Sequence, residues 1–306
     1  MFDRNNQYFK QAELLVRILP FIAEKECFAI KGGTAINLFI RDMPRLSVDI
    51  DLVYLPIHGR EASLKTIDQG LKSISKNALG RIKGLESEFR PLEDTGKIMK
   101  ITFVLETAKI KIEASPIIRG IVFPSERKEV SEKVKELLGY AEAKIVSLPD
   151  LYAGKICAAL DRQHPRDLFD ILYLLKNEGI TADIFKAFKV YLISHNRPIS
   201  ELLNPCLKDL SRVYNMDFSG MTVDSMPLDE LYATRSRLIA KIRRLLTGAD
   251  KEFFLSFKSG NPNWKLLDID VARKLPAVQW KLMNIRKMPD KKRTQVLQEL
   301  KNVLEM

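Results

Sequence analysis

The chain has 306 residues, 46% hydrophobic and 29% charged, enough for one large or two medium domains with real cores. No apolar run approaches the roughly 18 residues of a membrane helix, Met1–Lys10 lacks the basic-then-apolar layout of a signal peptide, and the scattered Cys27, Cys157 and Cys206 form neither a disulfide framework nor a CxxC site, so a cytoplasmic protein with no membrane partner is expected. The net charge of +11 divides unevenly, 24 basic against 21 acidic residues up to position 150 and 26 against 18 after it, which favours polyanionic partners although many soluble proteins are equally basic.

In chain order, residues 6–26 predict an amphipathic helix, with Phe9, Leu14, Leu15, Ile18, Leu19 and Ile22 on or near one face. A short strand, Phe28-Ala29-Ile30, runs into Lys31-Gly32-Gly33, and Thr34 is placed to cap a short helix carrying Ala35, Ile36, Leu38 and Phe39. Asp42–Ser47 reads as a loop and Val48–Leu55 as a strand. Residues 61–79 predict a helix, and Ile98–Leu105 with Lys109–Ser115 an antiparallel hairpin. Pro116, Pro124 and Pro149 punctuate the way out of this α/β region. Helices then dominate, over Leu151–Leu160, Arg166–Lys176, Ala182–Ser194, Asp229–Leu246 and Asp290–Leu304. The expected class is α+β, an α/β domain over 1–148 followed by a mostly helical domain over 149–306.

Chemistry concentrates in KGGTAINLFIRDMPRLSVDIDLVYLP. Asp49 and Asp51 are two apart on one strand, so both carboxylates leave the same face. Close like charges repel unless a cation joins them, and Mg²⁺ commonly takes one or two carboxylates together with substrate phosphates. Gly32-Gly33, between a strand and a helix start, lets backbone approach a triphosphate. A lone DxD is more often a solvated strand edge, and a lone Gly-Gly a plain turn. The ordered set of strand, Gly-Gly, helix, loop and DID strand is far more specific, and GGTAINLF does not fit the P-loop pattern.

The string GGT-A…R-x-S-x-D-I-D-L resembles the AbiEii/AbiGii nucleotidyltransferase toxins, a group that includes the MenT toxins within the DNA polymerase β-like superfamily. A second block agrees: Leu151-Tyr-Ala-Gly-Lys155-Ile-Cys-Ala-Ala-Leu160, then Arg166-Asp167-Leu-Phe-Asp170-Ile. A fainter echo spans Phe254-Leu-Ser-Phe-Lys-Ser-Gly260-Asn-Pro262-Asn-Trp264. The resemblance implies a polymerase β-like catalytic domain that transfers a nucleoside monophosphate from an NTP, with Mg²⁺ held by Asp49 and Asp51. It implies that Gly32, Gly33 and Thr34 cradle phosphates and that Ser47 lies beside the metal site. Lys155 would bind phosphate, where a plain reading of a lone lysine on an apolar helix is snorkelling to water. Asp167, favoured over Asp170, would enter the same network, with Arg162 and Arg166 as phosphate contacts; capping of a helix start is the bland role for Asp167.

Relatives place a third carboxylate on a neighbouring strand. Glu113, which alternates with Lys111 and Lys109, is the first candidate and Glu106 the second, against a plain charged surface strand. By resemblance the acceptor is RNA, the tRNA 3′ end foremost, held by the basic helical half, and the outcome is blocked translation. The implied partner is a cognate antitoxin, a winged-helix regulator or a kinase, and phosphorylation of Ser47 would silence the site by adding charge against its carboxylates. Two rivals stay open: an enzyme that nucleotidylates or phosphorylates protein, and a non-catalytic binding module with a decayed site. The basic run Arg286–Lys301 reads as an RNA-binding helix or, more commonly, a solvated one.

Overall fold

The computed structural model describes residues 6–305, so residues 1–5 of the polar opening stretch lie outside the described residues. The chain divides into two compact units, Met1–Ser147 with Ser219–Ser225, and Leu148–Phe218 with Met226–Met306. The first runs α1 (Gln7–Ala23), β1 (Phe28–Lys31), α2 (Gly32–Ala35), β2 (Asp49–Tyr54), α3 (Arg60–Arg81), β3 (Glu86–Pro91), β4 (Ile98–Leu105) and β5 (Ala108–Arg119). It ends with β6 (Glu126–Glu129), α4 (Glu132–Leu138) and β7 (Glu142–Ile145).

The strands make one seven-stranded sheet in the order β3-β4-β5-β2-β1-β7-β6. β2 lies antiparallel to β1 and parallel to β5, and β3, β4 and β5 form an antiparallel meander. Alternation sorts the two faces of the sheet. Ile50 and Leu52 of β2, Ile110 and Ile112 of β5, and Ile101 and Phe103 of β4 are all fully buried. Each such side chain contributes about 1.5–3 kcal/mol. α1 packs on β5 and β7, and α3 on β4. α1 forms because its apolar stripe, Phe9 to Ile22, is buried and the Asn6 side chain accepts the Tyr8 N–H at 2.8 Å.

In the first unit the fold departs from the sequence reading at several points. Thr34 does not cap its helix: the helix already begins at Gly32, after the extended Lys31, and no side chain caps it. Pro116 does not end β5, which continues to Arg119; the pairing with β2 is irregular between Leu52 and Tyr54, where a residue without an N–H is tolerated. β3 and β6 went unread because they are edge strands, charged and exposed, without the alternation that marks a half-buried strand.

The second unit is helical: α5 (Leu148–Asp161), α6 (Pro165–Lys176), α7 (Ala182–Ser194), α8 (Ile199–Leu203) and α9 (Ser211–Asp217). It continues with α10 (Leu228–Leu245), α11 (Gly248–Ser259), α12 (Pro276–Arg286) and α13 (Asp290–Glu305). α5 packs against α6 and α7. The echo motif is architectural here. Thr247 and Asp250 close a capping box at the start of α11, and Gly260 ends it in a left-handed conformation at φ 93°. Phe253 and Phe257 pack on Trp264 with ring centroids 5.8 and 6.2 Å away. Among the described residues no helix is long and apolar enough to cross a membrane.

The sequence reading assigns all of 149–306 to the helical domain, whereas Ser219–Ser225 belongs with the first unit. There Arg45 and Thr222 form an antiparallel bridge, Leu46 N–H donates to the Met221 carbonyl at 2.8 Å, and Val223 N–H donates to the Pro44 carbonyl at 3.0 Å. Met221 is completely buried. Met221→Ala is expected to lower the stability of the protein by about 2–5 kcal/mol, read as a lower urea midpoint; an unchanged midpoint would show that this segment does not brace the Pro44–Leu46 loop.

Candidate active site

In the first unit the candidate residues gather where β1 turns into α2. Gly32 sits at φ +73°, a left-handed conformation that side chains resist, and a Cβ there would lie 2.8 Å from Asp51 Oδ2. The Asp51 carboxylate therefore rests directly on the glycine turn. A Cβ on Gly33 would meet the Arg45 guanidinium at 2.5 Å and Ser47 Oγ at 3.5 Å. Both glycines answer to the close approach of Asp51, Arg45 and Ser47 rather than to the turn alone.

Behind the turn the helix passes into a π-helical stretch, Ile36–Ile40, closed by Arg41 N–H to the Ile36 carbonyl at 2.8 Å. Asn37 Nδ2 donates to the Gly33 carbonyl at 2.9 Å. The Thr34 hydroxyl, fully buried, bonds Ser47 Oγ at 2.9 Å and the Asp49 carbonyl. Thr34 thus fixes the Asp49 backbone, and only its own backbone remains for a phosphate. Ser47 is 6% exposed, so a modifying enzyme reaches its hydroxyl only after the bond to Thr34 opens.

Asp49 and Asp51 share the open face of β2, as alternation requires, with Asp49 exposed and Asp51 half-buried. No hydrogen bond or ion pair holds the Asp51 carboxylate among the described residues, which leaves it open to a cation from solution. This fits a hard divalent ion shared by the two aspartates and substrate phosphates. Glu113 of β5 is in register with Asp51, but its carboxylate pairs with Lys100 Nζ at 2.9 Å. Among the described residues no group of three metal-binding side chains gathers. Glu106 lies in the β4–β5 turn at φ 51°, away from the pair in the register.

Two lysines that the sequence reading did not assign flank the aspartates. Lys31 of β1 is in register with Asp51, and Lys111 of β5 with Asp49. Arg45 was also missed as a site residue; it is 2% exposed, and its Nη1 donates to the Leu46 carbonyl at 2.9 Å. Strand register, invisible to a one-dimensional pattern, is the signal for the lysines.

In the second unit, Lys155 is buried at 5% exposure, with Nζ 3.0 Å from Asp167 Oδ1 and 2.8 Å from Asp170 Oδ2. Arg162 closes on Asp167 through Nε at 2.5 Å and Nη2 at 2.9 Å. Burial pushes the Asp167 carboxyl up, but Lys155 and Arg162 outweigh it and hold that carboxyl well below the usual range. Asp167 and Asp170 therefore act together on one lysine. His164 caps α6 by accepting the Arg166 N–H on Nδ1 at 3.1 Å, and Pro165 follows at the first helical position.

With this geometry established, the family described as "Nucleotidyl transferase AbiEii toxin, Type IV TA system" matches residues 13–284. The chain belongs to the AbiEii nucleotidyltransferase toxin family. AbiEii membership makes it an NTP-using nucleotidyltransferase and the toxin of a toxin–antitoxin pair, with a cognate antitoxin as partner. A solved structure with a similar fold is MenT4, a nucleotidyltransferase toxin from Mycobacterium tuberculosis H37Rv, at TM-score 0.63 and 13% identity, over 91% of this chain and 93% of that one. No curated protein matches the sequence.

The aspartate face of the first unit and the buried lysine cluster of the second are tested separately. Lys155→Met removes the ammonium shared by two buried carboxylates and is expected to cost about 3–5 kcal/mol, whereas Lys111→Gln on the exposed face of β5 leaves the urea midpoint nearly unchanged. Equal midpoints for both variants would dismiss the buried cluster as a structural element. His164 carries a pH signature: burial first, then Arg166, lowers it from 6.5 to about 4. The unfolded chain then takes up the proton more readily, so stability holds above about 6.5 and falls as pH drops toward 4. His195, also lowered, acts in the same direction. His164→Asn retains a capping side chain without the titration, so its urea midpoint should drop less than the wild type's between pH 7 and pH 5; parallel declines would overturn the assignment.

Proposed function

We propose that this AbiEii-family toxin transfers a nucleoside monophosphate from an NTP to RNA, with the tRNA 3′ end as acceptor, and so blocks translation. The observation that carries the reading is the unpaired Asp51 carboxylate resting on the Gly32 turn, with Asp49 on the same strand face. In this reading Asp49 and Asp51 hold Mg²⁺, which when bound draws charge from the triphosphate and from the attacking oxygen. Gly32, Gly33 and Thr34 offer backbone N–H groups to the phosphates, and Ser47 borders them. The accepting hydroxyl gives up its proton to water as its oxygen bonds to the α-phosphorus, the α–β bridge breaks, and pyrophosphate leaves. Glu113 is proposed as a third ligand only after it releases Lys100.

Lys155, Asp167 and Arg166 enter the proposal on the family motif, with Asp167 and Asp170 fixing the Lys155 ammonium and Arg162 clamping Asp167. The antitoxin is proposed to be a winged-helix regulator or a kinase. A kinase would act on Ser47, where about −1.5 to −2 units of charge beside the aspartates would oppose both metal and NTP.

The test is transfer of label from each α-³²P NTP, with Mg²⁺ and total tRNA, by wild type and by Asp49→Ala. Label in RNA with wild type alone, lost on chelation by EDTA, is the expected result. Label confined to protein would replace the RNA acceptor with a protein one, and no transfer to either would remove the catalytic reading.

A further inference from the structure

The open face of the sheet carries a charge pattern that the aspartate pair does not explain. Cross-strand register places Asp51, Glu113, Lys100 and Arg90 in one row over β2, β5, β4 and β3. The next row is Asp49, Lys111, Thr102 and Glu88, and beyond it Lys109 stands opposite Val104. In the first row Lys100 neutralises Glu113 at 2.9 Å. Lys111 and Lys109 have no such partner. Both are exposed, neither makes an ion pair among the described residues, and their neighbours on β4 are Thr102 and Val104, which carry no charge. The nearest acids in those rows beyond the aspartates, Glu88 and Glu86, sit two strands away on β3.

Two adjacent strands run about 4.8 Å apart, and residues two apart on one strand about 6.7 Å. Lys111 therefore lies one strand from Asp49, and Lys109 one step further along, away from Glu113. Two lysines without ion pairs thus lead off the aspartate pair along β5, on the side away from Lys31. What sets these two lysines apart from other exposed ones is their place, one strand from Asp49 on the same open face. The occupant this fits is a polyanionic strand whose end reaches the aspartates.

We propose that Lys109 and Lys111 form a track for the phosphodiester backbone of the RNA acceptor, guiding its terminal hydroxyl toward Asp49 and Asp51. The inference rests on the RNA-transferase reading and adds a place for the acceptor within the first unit, where net charge alone had pointed to the helical half. Lysine contacts of this kind carry no base information, so the track holds any single-stranded end and leaves the choice of RNA to other residues.

The test measures binding of a fluorescein-labelled single-stranded RNA over a salt series, for wild type and for Lys109→Gln with Lys111→Gln. Both side chains are exposed, so the double variant should fold normally. A charge-matched control, Lys65→Gln with Lys76→Gln, removes two exposed lysines from α3, which packs on the other face of the sheet. The track predicts that the log–log salt slope falls by about 1.4 in magnitude and that binding weakens by about 25-fold at 0.1 M salt. The control should bind as wild type does, and KM for RNA should rise in the track variant while NTP affinity holds. Equal weakening in the control would reduce the effect to net charge and overturn the track. So would weakened NTP binding with unchanged RNA binding, which would hand the lysines to the triphosphate. If wild type labels RNA and the track variant matches it in KM and salt slope, the track fails and the RNA reading stands. If wild type neither binds nor labels RNA, both fail.

Discussion

Strand alternation in β2 is the constraint on which the rest depends. Ile50 and Leu52 fill the core while Asp49 and Asp51 stand on the opposite face, and β2 is held between β1 and β5. A slip of one residue would bury both carboxylates and expose both apolar side chains, a cost of several kcal/mol for each. The hydrophobic core therefore fixes the chemistry by locking register. Gly32, Thr34 and Ser47 then set the detail, with Gly32 leaving room for the Asp51 carboxylate and Thr34 anchoring Asp49 through its carbonyl.

Much of the first unit is readable from sequence because these elements obey simple periods. The strands Phe28–Ile30 and Val48–Leu55, the hairpin around Glu106 and the helices over 7–23 and 60–81 all carry apolar patterns that burial enforces. The AbiEii motif also announces itself, since Gly32 and Asp51 are needed at contact distance. What one dimension hides is lateral. The pairing of Lys111 with Asp49, of Lys31 with Asp51, and of Glu113 with Lys100 depends on which strands become neighbours and in what register. Arg45 hides for a related reason: an arginine in a loop gives no hint that it will be buried against Gly33.

The helical unit shows how a motif can be legible while its physics is not. RDxxD reads as a helix start with two acids on one face, and Lys155 as a lone charge among apolar residues. The structure joins them in a buried cluster in which one ammonium serves two carboxylates and Arg162 closes the outer side. A buried ion cluster adds little net stability over an apolar core of equal volume, yet it tolerates no partial removal. That asymmetry makes such residues resistant to substitution whether or not they touch a substrate. Loss of activity at Lys155 therefore speaks of chemistry only where the fold is shown to survive.

The loan of Ser219–Ser225 to the first unit has a consequence for how the toxin comes into being. The loop Pro44–Leu46, which leads into Ser47 and Asp49, acquires its partners Met221 and Val223 only when that later segment has been made. From Ser147 to Ser225 is 225 − 147 = 78 residues, and synthesis at about 5–20 residues per second spends about 4–16 s on them. During that interval the nascent chain holds the aspartate pair without its brace. A toxin assembled in this order keeps its aspartate face unbraced until about three-quarters of the chain has been made.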